Sequence, residues 1–574
     1  MKIGPILIIS ILGVLLSVLL SGIYFQFSYF EPDTVSYLFQ AKLFAEGKLS
    51  VPAPPEHGFS SSPHINVLNG KWYSKYPFGN ALMLMFGVFI NAPWLIPALA
   101  TGGALFLLYL LVKEIYGKPV ALIAAVIGLI SPATLGMGAT WFSEPVSRFY
   151  LALYLFTLIR TLNGANSVIY PLLSGFALGY AFNTRPLSAV VFGVVGAGLS
   201  VYHLASQWRK AWRPQDAALT AGRLAMRLGL FLIPFVVMLG VCMAWNTYFT
   251  GDAFTFTHTA AQPYDKIGFG KRMEGYAPDL AQAFVFTPAW ALERTWRHIL
   301  PCISFNALGW GNYHHRLLVD VNLSFKFIID FVPLLLPWCL ALLPFFHRSA
   351  GTRSGHKRAE TGLRPYRASQ NRYDVLCLVL LVGNLLLYAF FYFEGSTWGF
   401  TPVNARYYTE STFLAFIPLV ARGMFILYER FKPLFAARAI LSNSGLQTLP
   451  RLLIAAGGVI LLLLSANIVW SYVRIGERYQ NWGAVYQKLP PMVREHRIHN
   501  AVIFVAEHRG APIGDYPFQN LQEADIVYFK LGPAPRWKLT NSDWEQVYAQ
   551  YFTGRNAYLY VPRDNILTPL SVPK

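Results

Sequence analysis

The chain has 574 residues, 55% of them hydrophobic and 13% charged, with 47 Lys and Arg against 28 Asp and Glu for a net charge of +19. An ordinary soluble domain carries roughly 25% charged residues, so the composition excludes a soluble enzyme. A basic balance of this size can serve nucleic acid. Here, however, the basic residues gather between apolar runs, above all Arg348, Arg353, Lys357, Arg358, Arg364, Arg367 and Arg372, opposed only by Glu360 before Asp374. That is the pattern of cytoplasmic loops in a membrane protein, and no nucleic-acid partner is expected.

In chain order, Pro5–Phe27 is apolar for about 20 residues, enough to cross a hydrocarbon core roughly 30 Å thick. No small-x-small cleavage site follows, since Phe25–Phe30 is largely aromatic, so it reads as a retained first span with the N-terminus cytoplasmic. It opens a first outer loop, residues 28–78. Ala81–Ile90 is too short to span and reads as an interfacial helix. The second span, about 94–112, returns to Lys113 and Lys118, and the third and fourth flank an outer turn at Trp141-Phe142-Ser143-Glu144-Pro145. Spans five and six meet outside near Asn183-Thr184-Arg185-Pro186, and the sixth returns to Arg209, Lys210, Arg213, Arg223 and Arg227. The seventh, about 228–247, leads to a second outer loop, 248–326. The eighth, about 327–346, returns to the basic segment, and the ninth exits at Phe393. Spans ten and eleven, the latter Leu452–Tyr472, flank Arg430, Lys432, Arg438 and Arg451.

Eleven spans place every basic cluster on one side. The expected fold is an all-α polytopic membrane protein, residues 1–472, with a small extracytoplasmic α/β domain at 473–574. In that domain Ala501–Val505, Ile526–Phe529 and Ala557–Val561 are short runs rich in β-branched and aromatic residues, the signature of buried strands. Asn541-Ser542-Asp543 supplies N-cap chemistry for a helix over Trp544–Phe552. Cys242, Cys339 and Cys377 lie in apolar spans, leaving Cys302 without an obvious partner, so no disulfide framework is implied.

The informative residues are charges at the outer ends of apolar helices, where burial is costly unless a function or partner compensates. Asp33, in Glu31-Pro32-Asp33-Thr34-Val35-Ser36-Tyr37, opens an amphipathic stretch through Leu49; as a bare N-cap of a surface helix it would already be good chemistry. Lys75 ends the same loop one residue before Tyr76-Pro77, near lipid headgroups, as an interfacial anchor or as a cation for a lipid phosphate. Glu144, Arg185, Arg406 and Tyr407 fall on the same side, Arg406 after the Gly-rich stretch Glu394–Gly399. A carboxylate and two arginines converging with Asp33 and Lys75 would supply both a base and an anion clamp.

Together these residues resemble the glycosyltransferase C superfamily, membrane enzymes such as protein O-mannosyltransferases and the aminoarabinose transferases of lipid A. The matching features run in order over about residues 1–425: Asp33 with Tyr37 four later, Lys75-Tyr76-Pro77, Ser143-Glu144, Thr184-Arg185-Pro186, and Arg406-Tyr407-Tyr408. There are departures. The lipid A enzymes have Lys-Pro-Pro where this chain has Lys75-Tyr76-Pro77, and the protein mannosyltransferases pair Asp with Glu where here Glu31 precedes Asp33 across a proline.

The resemblance implies a polyprenyl-phosphate sugar donor, membrane lipids as surroundings, a glycan, lipid or protein acceptor on the outer face, and inverting transfer. Asp33 is then the base, with Glu144 a second carboxylate that positions the acceptor or holds an arginine. Lys75, Arg185 and Arg406 form the phosphate clamp, and Tyr37 and Tyr407 line the donor. No cofactor is expected; no His/Cys/Asp spacing marks a metal site, and His314-His315 reads as a loop pair. The alternative is a transporter or flippase of a lipid-linked glycan, disfavoured because no internal repeat or paired broken helices are seen. A membrane scaffold would not need the outward Asp, Lys and Arg set.

Overall fold

The computed structural model describes residues 4–572 except 30, 54–63, 165–166, 209–213, 262, 264–266, 275–281, 295–299, 309–334, 347–363, 391–405, 438–467, 470–471, 474–487, 507–523, 532–541 and 563. The chain opens with helix α1 (Pro5–Phe25), started by Pro5 in the first helical turn and stopped where Gln26 turns to φ 49°. One face of α1 packs inward through Ile9, Gly13 and Ser17, while Leu7, Ile8, Leu15, Leu19 and Ile23 are exposed. An uncovered leucine and isoleucine stripe of this length suits lipid, not water.

Then come α2 (Pro32–Ala45), β1 (Val51–Pro52), β2 (Ile65–Leu68), β3 (Lys71–Ser74) and α3 (Gly79–Phe89). The three strands form an antiparallel sheet in the order β1-β3-β2. Asn69 and Gly70 join β2 to β3 with both φ angles positive, 52° and 71°, the two-residue turn whose twist matches a hairpin. This sheet lies within the first outer loop of the sequence reading, residues 28–78, where no strands are expected. Helix α2 is also not a surface helix: Val35, Tyr37, Leu38, Phe39, Ala41 and Leu43 are all buried in one cluster with Trp72 of β3, Leu84 of α3 and Trp141.

The helical body continues with α4 (Leu95–Tyr116), α5 (Lys118–Ile130), α6 (Pro132–Gly138), α7 (Glu144–Leu162), α8 (Ile169–Phe182), α9 (Pro186–Trp208) and α10 (Pro214–Thr250). Next are α11 (Thr257–Ala261), a hairpin of β4 (Gly270–Glu274) and β5 (Gln282–Phe286), α12 (Pro288–Arg294), α13 (Leu300–Leu308), α14 (Leu335–Phe346) and α15 (Arg364–Ala389). A 3-10 turn (Arg406–Tyr408), a short helical turn (Thr409–Ser411) and a π turn (Thr412–Phe416) then lead into α16 (Ile417–Ala437).

Every sequence-expected span that falls on described residues coincides with a helix; the eleventh lies outside them apart from its end. Among the described residues six helices are by themselves long and apolar enough to cross a membrane, or up to seven if α5 and α6, bent by 56°, form one broken span. The chain is a multi-pass membrane protein. The cationic segment from Arg348 to Arg358, Glu394–Gly399, Asn404-Ala405 and His314-His315 lie outside the described residues.

The C-terminal part comprises α17 (Leu489–Glu495), β6 (Ala501–Val505), β7 (Ile526–Lys530), α18 (Ser542–Tyr551), β8 (Asn556–Val561) and β9 (Ile566–Pro569). Its four strands run in the order β7-β6-β8-β9, with β6 parallel to both neighbours and β9 antiparallel. All of β6 is buried, as a central parallel strand requires. Val502 and Phe504 pack on Trp544 and Phe552, whereas Ala501, Ile503 and Val505 pack on Leu489 and Val493.

One close approach positions the site. Gly79 at the start of α3 donates its N–H to the Asn183 carbonyl at 2.8 Å and accepts from the Tyr180 hydroxyl at 2.9 Å. A Cβ there would collide with the Thr184 hydroxyl and lie 2.7 Å from the Asn183 carbonyl. Gly79→Ala should therefore lower stability by about 1–3 kcal/mol, the usual cost of overpacking. Gly136→Ala, with nothing within 4 Å of the new methyl, should be neutral. Thermal unfolding in detergent checks this; equal melting of both variants would contradict the packing.

Candidate active site

The first carboxylate of the site is fixed by the start of α2. Glu31 is the N-cap and Pro32 the first helical residue. Thr34 closes the turn, donating to the Glu31 carbonyl at 2.7 Å and accepting the Glu31 N–H at 3.3 Å. Capping is thus done by Glu31 and Thr34, not by Asp33, which corrects the bare N-cap reading. Asp33 sits in the first turn, where a negative charge complements the helix dipole, and its carboxylate is left to long-range partners.

Its Oδ1 accepts from the Tyr76 hydroxyl at 2.6 Å and from Arg406 Nη2 at 3.0 Å, across 373 residues of sequence. Its Oδ2 is 3.7 Å from His64 Nε2. The β2–β3 hairpin supplies Tyr76, Lys75 and His64. It is tied to α2 by the Ser36 hydroxyl, which donates to the His64 carbonyl at 2.6 Å and lies 2.7 Å from the Ser74 hydroxyl.

From Arg406 the charges continue as a buried chain. Arg406 Nε is 3.6 Å from Glu144 Oε1, and Arg185 Nη1 donates to the same oxygen at 2.7 Å. Arg185 Nε lies 2.8 Å from Glu410 Oε1, an ion pair by distance although the N–H is not aligned on the oxygen. Arg185 also donates to Ser143 and Tyr388 hydroxyls, at 3.3 and 3.2 Å. Arg406 packs over the Phe142 ring, its guanidinium carbon 4.1 Å from the ring centroid, and beside Tyr407 at 5.1 Å. The sequence-named Asp33, Glu144, Arg185, Arg406, Tyr37 and Tyr407 are therefore brought together.

Lys75 joins them, but not as a lipid-facing anchor: it is 3% exposed. Its N–H donates to the His64 carbonyl at 3.0 Å, its carbonyl accepts from Thr257, and its ammonium is 5.0 Å from the Tyr76 ring centre. Tyr37 stacks on Tyr76 with centroids 4.7 Å apart.

The electrostatics follow from burial. Burial alone would raise the Asp33 carboxyl, but Arg406, with the Tyr76 hydroxyl and Lys75, holds it well below the usual carboxylate range. Burial pushes the Tyr37 hydroxyl up, and Asp33 and Glu144 add to it. His64 is pushed well below its ordinary value by burial and by Lys75, despite Asp33. Its ring is neutral at neutral pH, so the 3.7 Å approach to Asp33 is not an ion pair.

Several members escaped the sequence reading. Glu410 closes the far end of the chain, and Arg148, one turn along α7 from Glu144, is fully buried with only a 3.3 Å bond to the Thr134 carbonyl and a ring contact to Phe413. Among the described residues its Nε and Nη1 have no hydrogen-bond partner. Arg148 carried a signal, a charge entering an apolar run, which marks a functional residue by default, whereas Glu410 lies among Thr409, Ser411 and Thr412 and carried none. Tyr76 and His64 carried no such mark. Among the described residues no cluster of His, Cys, Asp and Glu is placed to hold a metal ion.

Residues 78–248 match the family of dolichyl-phosphate-mannose-protein mannosyltransferases. That family belongs to the glycosyltransferase C superfamily, so the resemblance carried by the sequence motifs is shown for this stretch. The match runs from α3 to α10 and contains Glu144 and Arg185, with Lys75 just before it. YycA of Bacillus subtilis (strain 168), which bears the name of a mannosyltransferase, is 30% identical over 163 residues, 28% of this chain. The chain covers 21% of that relative's length. Among solved structures, ArnT from Cupriavidus metallidurans bound to undecaprenyl phosphate aligns with TM-score 0.49 and 12% identity, over 96% of this chain and 92% of that one. The oligosaccharyltransferase AglB from Archaeoglobus fulgidus, in complex with an inhibitory peptide and a dolichol-phosphate, aligns with TM-score 0.40 and 11% identity, over 83% and 56%.

Two outcomes test this geometry. Glu410→Ala leaves Arg185 with Glu144 as its carboxylate partner among the described residues, so the cost should fall below the roughly 3–5 kcal/mol typical of leaving a buried charge unpaired. Chemical unfolding in detergent should show a measurable loss; wild-type stability would contradict the ion chain. For His64 the folded pKa lies below the unfolded value of about 6.5. Between the two the unfolded chain binds the extra proton, so stability falls as pH drops below about 6.5. His64→Gln should remove part of that acid loss, and identical pH–stability profiles would refute a neutral buried His64.

Proposed function

We propose that the chain is a membrane glycosyltransferase that moves a sugar from a polyprenyl-phosphate carrier to an acceptor at the outer face of the membrane. One observation carries the reading: a carboxylate and an arginine from distant parts of the chain meet at 3.0 Å, at the end of the row of ion pairs that holds its most exposed carboxylate. Side-chain exposure is 14% for Asp33 and 8% for Arg406, against 0% for Glu144 and Glu410. Of the three carboxylates, Asp33 is the one an acceptor can reach. The family match over residues 78–248 supports the same class of chemistry.

The step assigns one role to each group. Asp33 takes the proton of the acceptor hydroxyl as its oxygen attacks the anomeric carbon. The bond from that carbon to the phosphate oxygen breaks, its electrons leave with the polyprenyl phosphate, and the anomeric configuration inverts. Arg406 and Lys75 stabilise the charge that develops on the departing phosphate, the function of preorganised cations in a water-poor site. Arg185, held between Glu144 and Glu410, positions Glu144 and through it the Arg406 plane. Tyr37 and Tyr407 line the donor. No step is assigned to a metal or cofactor, and the outer-face topology is the one that keeps the basic clusters in the cytoplasm.

The test is transfer by purified protein from radiolabelled polyprenyl-phosphate mannose and polyprenyl-phosphate aminoarabinose, with membrane glycolipid extracts as acceptors. Asp33→Asn, which keeps shape but cannot take a proton, should lower transfer at least a hundredfold, the low end of general-base effects, while the protein still elutes as a monodisperse species. Arg406→Lys should also impair turnover, since the charge stays and the planar fork is lost. Full transfer by the Asn variant would return Asp33 to a structural role, and carrier binding without transfer in the wild type would favour a transporter.

A further inference from the structure

We propose that in the empty enzyme Asp33 occupies the place on Arg406 that the donor phosphate takes, so that donor binding exchanges one anion for the other and frees Asp33 to act as base. This rests on the reading of the site as a polyprenyl-phosphate glycosyltransferase, and adds how its base is switched on.

The two arginines of the site are bound very differently. Arg185 is the more heavily paired: carboxylates flank it at 2.7 and 2.8 Å and two hydroxyls accept from it, although its Nε, like that of Arg406, makes no hydrogen bond among the described residues. Its side chain is 11% exposed against 8% for Arg406, but an incoming phosphate would have to displace one of two close carboxylates to pair with it. Among the described residues Arg406 has one close carboxylate, Asp33, on Nη2, which also donates to the Tyr407 hydroxyl at 3.3 Å; its Nε faces Glu144 at 3.6 Å without a hydrogen bond. Its guanidinium carbon lies 4.1 Å from the Phe142 ring centroid and 5.1 Å from that of Tyr407, cation–ring contacts that do not depend on the anion at its edge. A guanidinium fixed by its faces and loosely met along its edge is suited to change partners, and the fork geometry fits phosphate as well as carboxylate.

Asp33 can survive the exchange. The Tyr76 hydroxyl at 2.6 Å stays on Oδ1, and the neutral His64 ring remains near Oδ2, so the carboxylate is not left bare in a buried setting. The exchange also serves catalysis. With Arg406 attached, Asp33 is a poor proton acceptor, because the guanidinium is the largest of the influences that hold its carboxyl low. Turning that guanidinium toward phosphate strengthens the base only when a donor is present. The acceptor hydroxyl, or stray water, is then not activated in an empty site.

Competition makes a prediction that damage cannot imitate. Binding of a short-chain polyprenyl phosphate to the full-length protein in detergent is measured by titration calorimetry. If Asp33 competes, Asp33→Asn should bind at least fivefold more tightly than wild type, although it does not transfer sugar. Tyr76→Phe removes the other hydrogen bond to Asp33, leaves the carboxylate more dependent on Arg406, and should weaken binding two- to threefold. Asp33→Asn combined with Arg406→Gln should lose the gain. A misfolded site would weaken binding in every variant. Unchanged or weaker binding by Asp33→Asn, with the wild type binding normally, overturns the exchange while leaving the glycosyltransferase reading in place. No binding by the wild type overturns the donor reading, and the exchange with it.

Discussion

A guanidinium removed from water must be answered by charge, because desolvation costs several kcal/mol per ion and only close, well-aimed partners offset it. Arg185 and Arg406 are answered by Glu410, Glu144 and Asp33, each on a different element. The start of α2, the start of α7, the α8–α9 junction and the segment after Arg406 are thereby held in one arrangement. Neither local propensity nor hydrophobic burial selects that arrangement alone, since apolar helices pack in many registers. The ion chain distinguishes them: sliding any of the four elements by a turn would strand a buried charge.

The same chain grades its members by reach. At one end Glu410 and Glu144 are sealed and fix Arg185. At the other, Asp33 keeps the most exposure of the three carboxylates and is held by a tyrosine hydroxyl, while Arg406 packs against the Phe142 ring. The proposed transfer uses this contrast, with sealed carboxylates that set geometry and a more exposed one that meets the substrate. The π turn at Thr412–Phe416 separates the site-bearing residues from the regular helix that follows, a placement common for such turns at functional sites.

How much of this the sequence shows depends on the range of the interaction. Long apolar runs announce membrane helices through composition alone, and Ala501–Val505 and its neighbours announce a sheet through β-branched and aromatic content; both are local. Helix α2 reads as a surface amphipath because its polar residues, Ser36 and Gln40, look solvent-facing, yet they bond the hairpin, Gln40 accepting from the Ser74 N–H at 3.1 Å. The hairpin was marked by Asn69-Gly70 but its strands are too short to show alternation. Lys75 looks like a headgroup anchor because nothing nearby in sequence tells that α2 and α11 cover it. The set Asp33, Lys75, Glu144, Arg185 and Arg406 was legible as charges in costly places. Their order, which carboxylate holds which arginine, was not, because it is made by contacts 41 to 373 residues apart and completed by Glu410, unmarked among Thr409, Ser411 and Thr412.

A cryo-electron microscopy map of the protein in lipid nanodiscs with a short-chain polyprenyl phosphate tests the central claim most directly. The account predicts phosphate density within hydrogen-bond reach of Arg406 and Lys75, the Asp33 carboxylate still on the Tyr76 hydroxyl, and Arg185 unmoved between Glu144 and Glu410. Phosphate bound elsewhere, with the Asp33–Arg406 pair intact, would contradict it.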